Sequence, residues 1–424
     1  MINYFPYEYP APAGDAPFGA NIEVAGCPWN SDHRLVRIAL KGKEIAKENR
    51  PASNLVFLID VSGSMSDQNK LPLLKTSMQR MVRELKESDR VAIVVYAGNS
   101  GLVLPSTACD ERSQRSILYA LEQLQPGGST NGAAGIQLAY QVASENFIKD
   151  GMNRGSLCTD GDFNVGITNQ GDLTRLIEDK AKSNVFLSVL GFGMGNVKDS
   201  TMEKLADKGN GNYAYIDNER EANKVLVQQM SGTLITIAKD VKIQVEFNPA
   251  KVGTYRLIGY ENRMLAKEDF NDDKKDAGEI GAGHTVTALY EIDSVGARGD
   301  APAVDPLKYG PPATDSTLKA GSDELLTVKL RYKAPDAPIE QGTSKLLEFP
   351  VKDPGQPFAN VSKDFKFASS VAAFGMLLRE SPYKGNATLD GVIELAQEGR
   401  GEDVNGYRAQ FIELVRKAKT LQRR

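Results

Sequence analysis

From about residue 54 to residue 238, apolar runs of strand length alternate with segments of helical periodicity. That alternation restricts the chain to βαβ units around a mainly parallel sheet. The runs "NLVFLID", "RVAIVVYAG" and "VFLSVLGFG" carry Val, Ile, Leu and Phe without polar alternation, as central strands covered by helices on both faces require. Between the first two, Leu71, Leu74, Met78, Met81, Val82 and Leu85 form the inward stripe of a helix. A second helix is predicted over 131–147, and a long one over 219–237 closes the unit. The expected fold class is a doubly wound α/β unit.

The flanks follow a different period. "NIEVAGCPW" and "RLVRIALKG" precede the unit, and "VKIQVEFN", "TYRLIGYEN", "HTVTALYEI", "ELLTVKLRYK" and "LLEFPV" follow it, all with strand-like alternation. Two lone N-terminal strands cannot bury a face by themselves. The α/β unit is therefore expected as an insertion in an antiparallel β domain, a sandwich. The Pro-, Gly- and Asp-rich stretch over 295–323 reads as a long loop. From Asp364 onward the pattern turns helical, with Phe367, Val371, Phe374 and Leu378 on one face. The resulting division is an N-terminal segment with β-domain strands (1–50), the α/β unit (51–238), a β-sandwich-like domain (239–363) and a helical C-terminal segment (364–424). A chain of 424 residues is long enough for two or three such units.

Composition removes several function classes. With 51 Lys plus Arg against 55 Asp plus Glu, the net charge of -4 gives no electrostatic reason to expect nucleic acid or an anionic membrane surface. Cys27, Cys109 and Cys158 lie too far apart for a disulfide framework or a zinc knuckle. His33 and His284 are the two histidines, and there is no HExxH, so a zinc hydrolase or a Ser-His-Asp hydrolase has little to work with. No stretch of about 18 apolar residues predicts a membrane span, and "MINYFPYEYPAPAGDAPFG" lacks the pattern of a signal peptide.

The chemistry concentrates where the first strand ends. "VFLIDVSGSMS" is apolar until Asp60 and then small and hydroxylated. A parallel strand that ends before a helix places its last residues at the crevice where α/β sheets bind ligands. The D-x-S-x-S spacing sets a carboxylate and two hydroxyls, Asp60, Ser62 and Ser64, on one turn, with Gly63 letting the backbone bend. Two further strand ends offer donors: Thr130 in "PGGSTNGAAG" and Asp160 in "LCTDGDFNVG". Asp162 and Asn164 either line the rim of the same site or form an Asx-rich turn. Oxygen donors of which few are charged suit Mg²⁺, with Mn²⁺ or Ca²⁺ as alternatives.

This ordered set of motifs resembles the von Willebrand factor type A domain, whose metal-ion-dependent adhesion site uses it. Asp60, Ser62, Ser64, Thr130 and Asp160 match position by position. The resemblance implies a Rossmann-like fold in which the hydroxyls of Ser62, Ser64 and often Thr130 touch the metal, while Asp60 and Asp160 act mainly through water. Nearly the whole chain, including "NKLPLLK", "TDGDFNVG", "ADKGNGNYAYID" and "DVKIQVEFNPAKV", looks like a bacterial lineage in which this domain carries an N-terminal segment and a C-terminal domain of unknown function. An extracytoplasmic setting, periplasm or cell envelope, is implied, with an export signal upstream of "MINYF". The sequence departs from that lineage at Gly155 and Ser156, small residues where large aliphatic ones are usual. They are expected to weaken the strand that feeds Asp160.

A metal that receives little protein negative charge stays electrophilic and takes a carboxylate from outside. The resulting expectation is a non-enzymatic, cation-dependent protein-binding module whose partner presents an Asp or Glu as the sixth ligand. The rivals are a Mg²⁺-dependent phosphoryl-transfer hydrolase and an envelope assembly factor acting through the β domain. A haloacid-dehalogenase-type phosphatase needs an Asp where Ser62 stands, and no Lys-bearing P-loop occurs. The stretch "EDFNDDKKDAG" carries Lys274 where an EF-hand needs Gly and reads as a charged turn. The tripeptide of Arg298, Gly299 and Asp300 is assigned no role, and Cys158 reads as a core residue. The resemblance also implies that the helix over 219–237 shifts when the site is filled, moving the β domain.

Overall fold

The computed structural model describes residues 1–97, 100–128, 132–161, 170–193, 199–229, 235–259, 270, 278–295, 322–335 and 344–422. Thr130, Asp162, Asn164, Lys274, the Arg298 tripeptide and residues 296–321 of the Pro- and Gly-rich stretch lie outside the described residues.

The chain opens with two antiparallel strands, β1 (Phe18–Cys27) and β2 (Asn30–Gly42). The α/β unit follows as β3 (Ser53–Asp60), α1 (Leu71–Glu84), β4 (Arg90–Tyr96), β5 (Ser100–Ala108), α2 (Glu111–Glu122), α3 (Gly132–Glu145), β6 (Met152–Thr159), α4 (Gln170–Ala181), β7 (Phe186–Phe192), α5 (Asp199–Lys208), β8 (Tyr213–Ile216) and α6 (Glu219–Asn223). A single π-helical turn, Lys224–Gln228, extends α6. The β domain resumes with β9 (Thr236–Phe247), β10 (Val252–Ile258), β11 (Gly278–Gly281), β12 (Thr285–Ser294), β13 (Glu324–Lys333) and β14 (Lys345–Lys352). Three helices end the described chain: α7 (Lys363–Leu378), α8 (Leu389–Glu398) and α9 (Tyr407–Gln422).

The six-stranded sheet has the order β5-β4-β3-β6-β7-β8 and is parallel except for β5. All eight residues of β3 are buried, because β4 and β6 pair with both its edges and helices cover both its faces. That burial explains its unbroken apolar run. All six apolar residues of the predicted α1 stripe are buried. Helix α3 approaches the sheet closely because position 135 has no side chain: a Cβ there would lie 2.9 Å from Leu58 Cδ1 and 3.0 Å from Tyr96 Cβ. Gly135→Val is expected to cost about 1–3 kcal/mol, the usual price of overpacking. A urea denaturation midpoint equal to that of the native chain would contradict this.

The β domain consists of two four-stranded antiparallel sheets, β1-β2-β12-β10 and β11-β9-β13-β14. Strands from before and after the α/β unit share the first sheet, with Leu40 of β2 opposite Val286 of β12. The inner faces meet through aromatic pairs, Phe18 with Tyr332 at 4.9 Å and Phe247 stacked on Tyr255 at 4.2 Å between ring centroids. On β2, Val36, Ile38 and Leu40 join the core between the sheets, while Leu35 and Ala39 join the core beneath the helices. The helical layer packs Phe365, Phe367 and Phe374 with Phe411 of α9 and Phe5 of the N-terminal segment.

Four expectations change. The closing helix does not run to 237: α6 and its π turn end at Gln228, and Ile237 lies in β9, where the β-branched run Ile235, Thr236, Ile237 favours a strand. Gly155 and Ser156 do not break their strand, because β6 pairs with both β3 and β7 and a Cβ at 155 would already touch Leu187 at 3.2 Å. Helix α7 has no single apolar face: it is buried nearly all round, and Leu378, placed on that face by its spacing, is 53% exposed in the last turn. Strands β5, β8 and β11 and helices α2, α4 and α5 were not anticipated.

The last turn of the α/β unit is fastened to both ends of the chain. Lys224 Nζ sits 3.1 Å from the centroid of the Tyr4 ring and 5.2 Å from that of Tyr407, and Tyr4 Oη donates to Glu221 at 2.6 Å. Burial lowers the Lys224 ammonium pKa, and Glu221 opposes that shift.

Candidate metal centre

The strand order turns at β3: β4 follows on one side and β6 lies on the other. The crevice at the carboxyl ends of β3 and β6 is thus the switch point of the sheet, where open α/β folds bind ligands. Asp60 ends β3, and Asp160 directly follows the last residue of β6.

Asp60 is wholly buried. Its Oδ1 accepts from the Ser62 backbone N–H at 2.9 Å, and its Oδ2 accepts from Thr159 Oγ1 at 3.3 Å. Tyr96, its register partner on β4, is also fully buried beside it. Desolvation raises the Asp60 carboxyl pKa, hydrogen bonds from Ser62 oppose this, and the charge of Asp160 adds to the rise. Tyr96 is pushed well above the ordinary phenol range, by burial first and then by Asp60.

Ser62 and Ser64 point the same way, their hydroxyl oxygens hydrogen-bonded at 3.0 Å. The turn that carries them is anchored by the buried Met65 within Gly63–Ser66. The loop before α3 is tied to this turn by two backbone bonds, Gly127 N–H to Val61 O at 2.7 Å and Gly63 N–H to Gly128 O at 3.3 Å. Thr130 itself lies outside the described residues. Asp160 is 5% exposed. The turn after it needs the left-handed backbone of Gly161, φ +93°, whose N–H donates to Thr159 Oγ1 at 3.1 Å.

The structure therefore brings Asp60, Ser62, Ser64 and Asp160 together. It also shows groups that the sequence reading missed. Lys70 Nζ donates to Asp160 Oδ2 at 3.0 Å and to the Ser64 carbonyl at 2.8 Å. Thr159 and Tyr96 frame Asp60. Lys70 lies in the quoted run "NKLPLLK" and Thr159 in "TDG", but nothing in either run marks a role.

Two buried carboxylates at adjacent strand ends, one made harder to ionise by the other, form a place that favours added positive charge. The nearby hydroxyl pair makes the donor set all oxygen, which fits a hard divalent cation. Among the described residues no cluster of three or more His, Cys, Asp or Glu side chains is present.

Comparison with known proteins agrees with this fold. The family model of the von Willebrand factor type A domain matches residues 54–229, and that of the YfbK C-terminal domain matches residues 232–421. A further model, described as von Willebrand factor, matches residues 1–37. The uncharacterized protein YfbK of Escherichia coli K12 is 44% identical over 426 residues, spanning 98% of this chain and 71% of that protein. The uncharacterized protein sll0103 of Synechocystis is 29% identical over 220 residues, half of each chain. Among solved structures, a von Willebrand factor type A protein from Catenulispora acidiphila aligns over 95% of this chain and 89% of its own, with a TM-score of 0.49 and 16% identity. Von Willebrand factor type A domains often mediate protein interactions and commonly bind divalent metal ions. No described helix is long and apolar enough to cross a membrane. With its type A domain followed by a YfbK-type C-terminal domain, this chain belongs to the YfbK family of von Willebrand factor type A proteins.

Proposed function

We propose that the chain is a divalent-cation-dependent protein-binding module, for adhesion or scaffolding, whose partner supplies an Asp or Glu carboxylate to the metal. One observation carries this reading. Asp60, Ser62, Ser64 and Asp160 converge at the switch point of the sheet, and Gly127 and Gly128 are hydrogen-bonded to the same turn. Ser62 and Ser64, with Thr130, would hold the ion through hydroxyls, and Asp60 and Asp160 would steady it from behind. The bound ion would supply an electrophile that a carboxylate from another molecule can reach. Mg²⁺ suits this donor set best, with Mn²⁺ or Ca²⁺ as substitutes. Asp162 and Asn164 are proposed as rim residues.

The hydrolase reading has less to support it, because Ser62 occupies the place of the general acid such an enzyme requires. Action through the β domain in envelope assembly is compatible with the binding role, and an extracytoplasmic setting is proposed on family likeness alone. The proposed division of labour places ion-dependent binding in 51–238 and the supporting frame in 1–50, 239–363 and 364–424.

The test is capture of partner proteins by the immobilised full chain in Mg²⁺, in EDTA and with Asp60→Ala. A partner retained in Mg²⁺ and lost under both other conditions is expected. Identical recovery under all three would remove the reading.

A further inference from the structure

We infer that Lys70 is a tethered counter-ion that competes with the divalent cation for Asp160 and so sets the ion concentration at which the site fills. The inference rests on the cation-binding reading above and concerns its regulation.

Lysine is an unexpected residue at this place. Lys70 is the N-cap of α1, the end of the helix where the macrodipole disfavours a cation. Its side chain is nonetheless only 13% exposed, and its ammonium contacts Asp160 at 3.0 Å, the Ser64 carbonyl at 2.8 Å and Asp67 at 3.6 Å. The path of its stem depends on the end of β7. Gly193 adopts φ +96°, and a Cβ there would fall 2.6 Å from Lys70 Cε and 3.0 Å from Cγ. A left-handed glycine thus leaves room for the stem, and two carbonyl or carboxylate oxygens receive the head.

The consequence is electrostatic. Asp60 and Asp160 raise the negative potential of the crevice, and Lys70 cancels part of it at one of the two carboxylates. A divalent ion must share Asp160 with the ammonium or displace it. Affinity for the ion is lowered, and the ion that does bind receives less charge from the protein and keeps more attraction for a partner's carboxylate.

Calorimetric titration of Mn²⁺ into the EDTA-stripped full chain tests this, with Lys70→Met and Lys70→Arg compared. Removing the charge while keeping the stem is expected to tighten Mn²⁺ binding about tenfold, and Lys70→Arg is expected to stay within about threefold of the native chain. If the native chain binds Mn²⁺ and Lys70→Met binds it equally or more weakly, the inference fails and the cation site stands. Equal tightening in Lys70→Arg would show that length rather than charge matters, and would also overturn it. If neither the native chain nor Lys70→Met binds millimolar Mn²⁺, the cation-binding reading itself fails. Circular dichroism of each variant establishes that it is folded.

Discussion

Asp60→Asn is expected to lower affinity for a divalent cation about a hundredfold while leaving the ion-free fold as stable as before or more stable. The two halves of this result have one cause. Asp60 is wholly buried, and its carboxyl pKa is raised by desolvation and further by Asp160. A carboxyl whose folded-state pKa is raised contributes stability below its ordinary value, and that contribution is lost as pH rises through the raised value. Near neutral pH the ion-free native chain therefore carries a cost that the amide lacks, and the cost shrinks as pH falls toward the ordinary carboxylate range. The amide keeps an oxygen to accept from the Ser62 N–H, so the turn survives. Thermal denaturation in EDTA and in Mg²⁺, at pH 7 and pH 5, checks both halves. A variant that keeps the full Mg²⁺-induced rise in Tm would contradict the role given to Asp60.

At the opposite end of β3, Asp89→Ala is expected to cost about 3–5 kcal/mol of folding stability. Asp89 is fully buried and accepts from the Ser53 N–H at 2.8 Å, from the Lys86 N–H at 2.8 Å and from the Arg50 guanidinium. Arg50 is itself only 3% exposed and also donates to Ser53 Oγ at 2.7 Å. Truncation would leave a buried cation uncompensated and two backbone donors without their acceptor. Urea denaturation should show a lower midpoint with an unchanged slope. A loss below about 1 kcal/mol would mean that Arg50 finds water when its partner is gone. Ser53 and Asp60 are the first and last residues of β3, a separation of roughly 23 Å at strand rise. Ion affinity of the molecules that remain folded should therefore be unchanged.

The contrast between what the sequence revealed and what it hid has physical causes. Strands β3, β4 and β7 were legible because burial on both faces demands apolar runs that few other environments tolerate. Strand β5 was missed because it is an antiparallel edge carrying Pro105 and exposing Leu102 and Val103, so its residues answer to solvent as much as to a core. Helix α2 carried legible signals that went unread: Ile117, Ala120 and Leu121 fall at helical spacing, and Asp110 caps its start by accepting from the Ser113 N–H. Helix α7 misled in the other direction: its surroundings bury it on all sides, and periodicity cannot be read when no face is wet. At the site, Asp60, Ser62, Ser64 and Asp160 were legible from spacing at strand ends, and the structure brings them together. Lys70 was not, because a lysine before a helix is common on surfaces, and only the position of Gly193 in space shows where its stem goes.

Crystals of the full chain grown with Mn²⁺, examined by anomalous scattering, give the most direct test of the central claim. The account predicts one strong peak between the carboxyl ends of β3 and β6, within roughly 2.6 Å of Ser62 Oγ and Ser64 Oγ, with a coordination position open to an outside oxygen. No peak there, or a peak whose remaining position is filled by another side chain of the same molecule, would contradict it.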